Sequence, residues 1–231
     1  QTAMAITDHG VMYGAVDFHP TAQKMCMKPL VCFEAYVAPA DRRDKSTSDQ
    51  FAYNHLTLLA RSFEGYQNLS RLCSEGFLTG FYRHPRIDKA IMREWSSWIC
   101  ALPGSLRGEI TQALLAGRLE AAETAADWCR DIDGQGNLFD DIMNNGLPEQ
   151  KKILPAFREL SRKTGIPLVA TADSHYLLPE HEDIQDIMIY INTGRLLADE
   201  NRMHAEVGCH LKAAGMMLAA LPLLPEGRRI L

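Results

Sequence analysis

Five short stretches of this chain are apolar almost without interruption: residues 3–7, 29–37, 55–60, 98–102 and 167–171. A strand wetted on one face alternates apolar with polar residues, whereas a strand covered on both faces reads as a continuous apolar run. The five runs therefore predict buried strands, and their unbroken character favours parallel pairing under a cover of helices. Ile110, Leu114, Leu115, Leu119, Ala122 and Ala126 recur at helical spacing, which predicts one helix over 109–130. A second helix is expected over 156–163, stopped at Gly165. Strand, helix and strand recur in that order, so the expected class is α/β. Residues 40–52 and 131–137 lack periodicity and read as loops, and the segment from Gly208 onward carries no clear pattern.

Composition narrows the function classes. With 46% apolar and 23% charged residues in 231, the chain has the balance of a folded domain rather than a disordered one. Its longest apolar runs fall well short of the roughly 20 residues a membrane helix needs, so no membrane partner is expected. The first residues lack a leader pattern and an initiating Met, which suggests that sequence upstream of Gln1 has been removed. Six cysteines without CxxC spacing point to reduced thiols, mostly small core residues, in a cytoplasmic setting. A net charge of −5 argues against a broad nucleic-acid footprint, which needs clustered Lys and Arg.

The candidate chemistry lies at the strand ends. Asp8 and His9 follow the first run, Glu34 sits inside the second, His55 begins the third, and Asp173 and His175 follow the last. In parallel α/β folds the carboxyl ends of the strands open into one cleft, where residues distant in sequence converge. Imidazole and carboxylate together suit zinc, manganese or iron. Asp8-His9-Gly10 and Asp173-Ser174-His175 also have a plainer reading as caps or turns. Glu34 does not, because a carboxylate inside an apolar run asks for a partner or a cation. His19, His84, His181, His204 and His210 read as solvated, and Tyr66, Phe77, Phe81 and Tyr82 as packing residues. Ser105 follows Pro103-Gly104 without the pattern of a nucleophile elbow, and no phosphate-binding glycine fingerprint is present.

An ordered series of blocks then resembles a known family. Ala5-Ile6-Thr7-Asp8-His9-Gly10, Met12-Tyr13-Gly14, Lys28-Pro29, Glu34 to Pro39, Gly65-Tyr66-Gln67-Asn68-Leu69, Gly80-Phe81-Tyr82, Pro85-Arg86-Ile87-Asp88, Gly108-Glu109-Ile110, Gly146 to Gln150, Pro167 to Thr171, Asp173-Ser174-His175-Tyr176 and Asn201-Arg202-Met203 look like successive parts of the PHP (polymerase and histidinol phosphatase) domain of bacterial DNA polymerase III alpha subunits. The resemblance covers 1–204 and leaves 205–231 as a segment leading toward the polymerase domains. It implies a distorted (β/α)7-type barrel, incomplete at the N-terminus, with zinc or manganese ions at the strand ends. By that resemblance His9, Glu34, His55, Asp173 and His175 match metal ligands, and Asp8 is a residue that orients His9.

Departures from the family's pattern temper the implied activity. Its opening His-x-His block is absent, Ser105 stands where a ligand cysteine is common, and Asn145 and Gln185 stand where histidines are common. A hydroxyl is a far poorer ligand than a thiolate for a borderline metal. The resemblance thus implies a metal-dependent phosphoesterase or 3′-5′ exonuclease-like module, degenerate and structural here, belonging to a cytoplasmic DNA-directed DNA polymerase. The implied partners are the remaining polymerase domains, replicative holoenzyme subunits including a proofreading exonuclease, and DNA through the full-length protein. The alternative is an active stand-alone phosphatase of the PHP superfamily.

Overall fold

The computed structural model describes residues 2–46, 53–133, 137–194, 196, 199, 204, 205 and 207–221. Each of the five apolar runs coincides with a strand: β1 (Ala3–His9), β2 (Lys28–Val37), β3 (Asn54–Ala60), β6 (Ile99–Leu102) and β8 (Leu168–Ala170). Three short strands join them, namely β4 (Phe81–Tyr82), β5 (His84–Ile87) and β7 (Asp140–Ile142). The long β2 organises the sheet. One edge pairs in parallel with β1 along residues 28–34 and with β5 at Tyr36 and Val37. Its other edge pairs antiparallel with β3, and β3 pairs antiparallel with β6.

The sheet is therefore mixed, which corrects the expectation of parallel pairing. Continuous apolar character reports burial of both faces, not strand direction, and here both faces are covered. Phe33, Ala35, Val37, Leu56 and Leu58 pack outward against Leu69 and Leu72 of α2 (Phe63–Leu78). Cys32, Leu59, Cys100, Leu102 and Val169 form a second, inner cluster. That cluster joins β8 to β2, so the strands curl into a wall around it. Bonds from Ala101 N to Asn137 O at 3.3 Å and from Phe139 N to Ala101 O at 3.3 Å continue the wall from β6 toward β7. The β7–β8 pair is parallel. Among the described residues β8 and β1 form no hydrogen-bonded ladder, so the wall is open there.

The helix expected over 109–130 is two helices, α4 (Glu109–Leu115) and α5 (Leu119–Asp133). Gly117 breaks it in a left-handed conformation at φ 70°, while Arg118 N and Gly117 N return to the carbonyls of Ala113 and Leu114. This is a helix C-terminus closed by glycine. The expected helix over 156–163 begins earlier, as α6 (Pro148–Thr164), and ends as expected at Gly165 with φ 73°. Pro148 suits the first turn. Pro155, inside the helix, costs a backbone bond that burial of Ile153, Phe157 and Leu160 offsets. Pro20 is likewise inside α1 (Ala15–Lys24).

Of the loop expected over 40–52, residues 47–52 lie outside the described residues, as does the 201–203 block. Its first part is held by Arg86, 1% exposed, which donates to the carbonyls of Gly80, Arg42 and Asp44 at 3.3, 2.9 and 2.6 Å. Asp88 caps α3 (Lys89–Trp95) through Ala90 N and Ile91 N and also accepts from Arg42 N at 3.0 Å. Arg86→Met would take the guanidinium away from the Arg42 and Asp44 carbonyls and leave Gly80 O with only the Arg86 backbone N. We expect a loss of about 3 kcal/mol in urea unfolding, and an unchanged midpoint would contradict it.

Both acidic residues of β7 are buried, and Asp140 has neither carboxyl oxygen hydrogen-bonded. Burial, and then the Asp141 charge, push the Asp140 carboxyl up to about 7, from an ordinary value of 3.8. Between those values the folded chain holds a proton that the unfolded chain has released, so this group's contribution to stability falls as pH rises. Asp140→Asn removes the titration. The stability of the variant relative to the parent should rise between about pH 4 and pH 7 and then level off, by a few kcal/mol. Denaturant curves at stepped pH measure it, and a flat difference would refute it.

Candidate metal centre

Strand register brings the candidate residues together. His9, the last residue of β1, pairs directly with Glu34. On the other side of β2, His55 pairs with Tyr36 and Thr57 with Glu34, so His55 and Glu34 are diagonal neighbours on one face. Because β3 is antiparallel, its beginning lies beside the carboxyl ends of β1 and β2. The strand-end argument thus holds for His55 for a reason other than the one expected.

Glu34 is the hub. Its Oε1 lies 2.8 Å from His55 Nδ1, and its Oε2 pairs with His9 Nδ1. The Glu34 side chain is 12% exposed and that of His55 10%, whereas 51% of His9 reaches solvent. Burial pushes the Glu34 carboxyl up, but the hydrogen bonds from His55 and His9 prevail and hold it at about 2. The same bond from Glu34 raises the His9 imidazole. His55 Nε2 is buried and has no hydrogen-bond partner among the described residues.

Asp8 does not hold His9. Its Oδ2 accepts from Gly14 N at 2.9 Å, shaping the turn into α1, while the His9 nitrogen goes to Glu34. Gly10 donates to Glu34 O at 2.8 Å with φ 67°, and an added Cβ there would press into the Tyr36 ring. Asp173 follows β8 in a left-handed conformation at φ 49°, which Asp tolerates better than most residues. Its carboxyl is raised by burial. His175 Nδ1 lies 2.8 Å from Asp173 O, and the His9 and His175 ring centres are 6.2 Å apart.

Asp8, His9, Glu34, Asp173 and His175 line one cleft of about 580 Å³, together with Thr57, Tyr13 and Ser105, while His55 reaches it through its contact with Glu34. His9, Glu34 and His55 offer ligand atoms within 4.8 Å of one another, and so do Asp173, His175 and Cys209. Gln185 lies on α7 (Glu182–Thr193) and is not among the residues lining the cleft. Asn145 is buried behind it, its Nδ2 donating to Ala172 O at 2.9 Å.

With that geometry in hand, comparison with known proteins identifies the fold family. The family profile described as PHP domain matches residues 1–145. The chain belongs to the PHP domain family. It is similar to the DNA polymerase III subunit alpha of Thermus aquaticus, 43% identical over 202 residues that cover 87% of this chain and 16% of that protein. The Deinococcus radiodurans subunit alpha is 44% identical over 204 residues, covering 87% and 15%. That of Treponema pallidum is 36% identical over 228 residues, covering 98% and 20%. The chain thus spans a fifth or less of the length of these curated relatives.

In this PHP domain several residues lie where the sequence did not point. His84 is half-buried rather than fully solvated. It is in β5, with ring contacts of 4.6 Å to Tyr36 and 4.9 Å to Tyr53, and burial lowers its imidazole. The His210 Nε2 is buried. Phe77 and Phe81, expected in packing, are 40% and 47% exposed and stack on each other. His19 and His204 are exposed as expected.

Asp141 was also missed, because two acidic residues disguise the β7 strand. It accepts from Gly104 N and, at 3.1 Å, from Thr171 Oγ1, tying the loop that carries Ser105 to the end of β8. A Cβ on Gly104 would collide with the Asp141 carbonyl oxygen, a backbone atom that cannot swing aside. Gly104→Ala should therefore cost roughly 2 kcal/mol or more. Thermal unfolding checks this, and a tolerated alanine would show that the β6 loop is not held against β7.

Proposed function

We propose that this PHP domain works within a DNA polymerase III alpha subunit as a platform of the replicative assembly, with metal-binding capacity but little or no phosphodiester hydrolysis. The observation that carries this reading is the Glu34 carboxylate gripped by two imidazoles at the cleft floor, with His55 Nε2 buried and unpartnered. An orphaned ring nitrogen beside a carboxylate is what a zinc or manganese ion would satisfy. His9, Glu34 and His55 would hold such an ion on one wall, with Asp173 and His175 on the other.

When bound, zinc or manganese supplies a water of lowered pKa and a positive hold on phosphate oxygens. The chain's own residues prepare the ground for it. Glu34 fixes both imidazole orientations through their Nδ1 atoms, and Asp8 and Gly14 shape the turn that follows His9. Ser105 contributes only a hydroxyl, and Asn145 and Gln185 bring no imidazole, which is why a full cluster is not expected.

The domain expected over 1–204 is best extended. His175 N donates to Cys209 O at 2.7 Å and Leu211 N to Tyr176 O at 2.8 Å, so residues 208–212 of the segment at 205–231 pack as part of the same unit. The same reading extends to the activity of the parent polymerase, its DNA contacts, docking of a proofreading exonuclease and a cytoplasmic location, and the likeness to subunit alpha supports it. No described helix is long and apolar enough to cross a membrane. The relatives reported above are all polymerase subunits, and none favours a stand-alone phosphatase.

A chelator-stripped chain reloaded with zinc or manganese should bind fewer than three ions by elemental analysis and show negligible turnover of a 3′-labelled primer. Three tightly held ions, with turnover abolished by His9→Ala and by Asp173→Ala, would replace the platform with an active nuclease.

A further inference from the structure

The second ligand group contains a residue that neither strand position nor the family likeness selects. A carboxylate oxygen of Asp173, a ring nitrogen of His175 and the sulfur of Cys209 lie within 4.8 Å of one another. Cys209 is brought there by backbone pairing. Tyr176 bridges in parallel to His210, and Cys209 N donates to Tyr176 Oη at 3.1 Å. Gly208 makes the turn before it at φ 74°, against an Asn145 carbonyl that leaves no room for a Cβ. The sulfur is thus carried on a backbone fixed from both sides.

Its surroundings are not those of a core thiol. Cys209 is 1% exposed, yet Asn145 Nδ2 lies 3.5 Å from its sulfur. Lys212, 8% exposed, donates its ammonium to Asn145 Oδ1 at 2.9 Å and to Gly208 O. It stands within electrostatic reach of both Cys209 and Asp173. An amide donor and a lysine behind a sulfur, with a carboxylate and an imidazole in front, favour the thiolate and orient it. A merely structural cysteine, like Cys32 in the inner cluster, has apolar neighbours instead.

We propose that Cys209 supplies a thiolate to a second metal position with Asp173 and His175, one suited to zinc or another borderline-soft divalent ion. The thiol proton leaves to solvent as the ion binds. Ser105, on the cleft lining, cannot be that soft donor. The inference rests on the metal-binding reading of the cleft and adds to it a sulfur ligand and a second locus.

Cobalt is the probe, since sulfur ligation gives a near-ultraviolet charge-transfer band and any tetrahedral site gives visible bands. The stripped 231-residue chain loaded with cobalt(II) should show both. Cys209→Ser should lose the charge-transfer band and keep visible absorption from the His9 group, while Cys73→Ser keeps both. A charge-transfer band that survives Cys209→Ser, or visible bands without one in the parent, overturns the thiolate and leaves the metal reading standing. Absence of all cobalt bands overturns both. Should Cys209→Ser misfold by circular dichroism, cadmium NMR of the unaltered chain decides, because a thiolate ligand moves the resonance far downfield of an all-nitrogen-and-oxygen site.

Discussion

A carboxylate buried in the longest strand is the constraint around which this domain is arranged. Glu34 cannot lie unpaired inside β2 without a cost of several kcal/mol, and it avoids that cost by accepting from His9 and His55. Those partners come from the two strands that flank β2, one parallel and one antiparallel. A one-residue slip of either would turn its side chains to the opposite face and strand the charge. The polar pair thus specifies register, while the apolar clusters on either side of the sheet supply the bulk of the stability.

How much of this the sequence disclosed depends on which signal each element carries. The five strands of the apolar runs were legible because burial on both faces leaves an unbroken apolar run. Their directions were not, since β3 has the composition of a parallel strand and only the connection from β2 decides its sense. Strand β7 was hidden by Asp140 and Asp141, whose charges contradict the position they occupy. The split between α4 and α5 was encoded by Gly117 alone, a single residue inside an otherwise good helical period. Of the residues singled out at the strand ends, His9, Glu34, Asp173 and His175 line one cleft, and His55 joins them through Glu34 from the start of an antiparallel strand rather than from a parallel one.

Cys209 illustrates the limit of that reading. Nothing in the pattern from Gly208 onward marks a strand, and the pairing that places the cysteine depends on the backbone of Tyr176 and on a turn that only glycine makes without strain. Long-range backbone pairing of an irregular segment leaves no periodicity to detect. The same applies to Asp8, where a hydrogen bond to Gly14 N explains the residue more simply than any role beside a metal.

The charge balance of the cleft links its occupancy to its chemistry. Asp8, Glu34 and Asp173 face a single opening, in a chain whose net charge is −5. A phosphodiester approaching those carboxylates is repelled unless cations intervene, and the nearby buried Lys212 is committed to Asn145 and Gly208. On the proposed reading, any hydrolysis at this cleft would therefore depend on cations held by its walls. On the platform reading proposed above, support of neighbouring domains needs only the sheet, its register and the Glu34 hub, none of which requires an ion. On that reading the fold does not depend on an imidazole at position 145, where Asn145 instead ties the Ala172 carbonyl to the Lys212 ammonium.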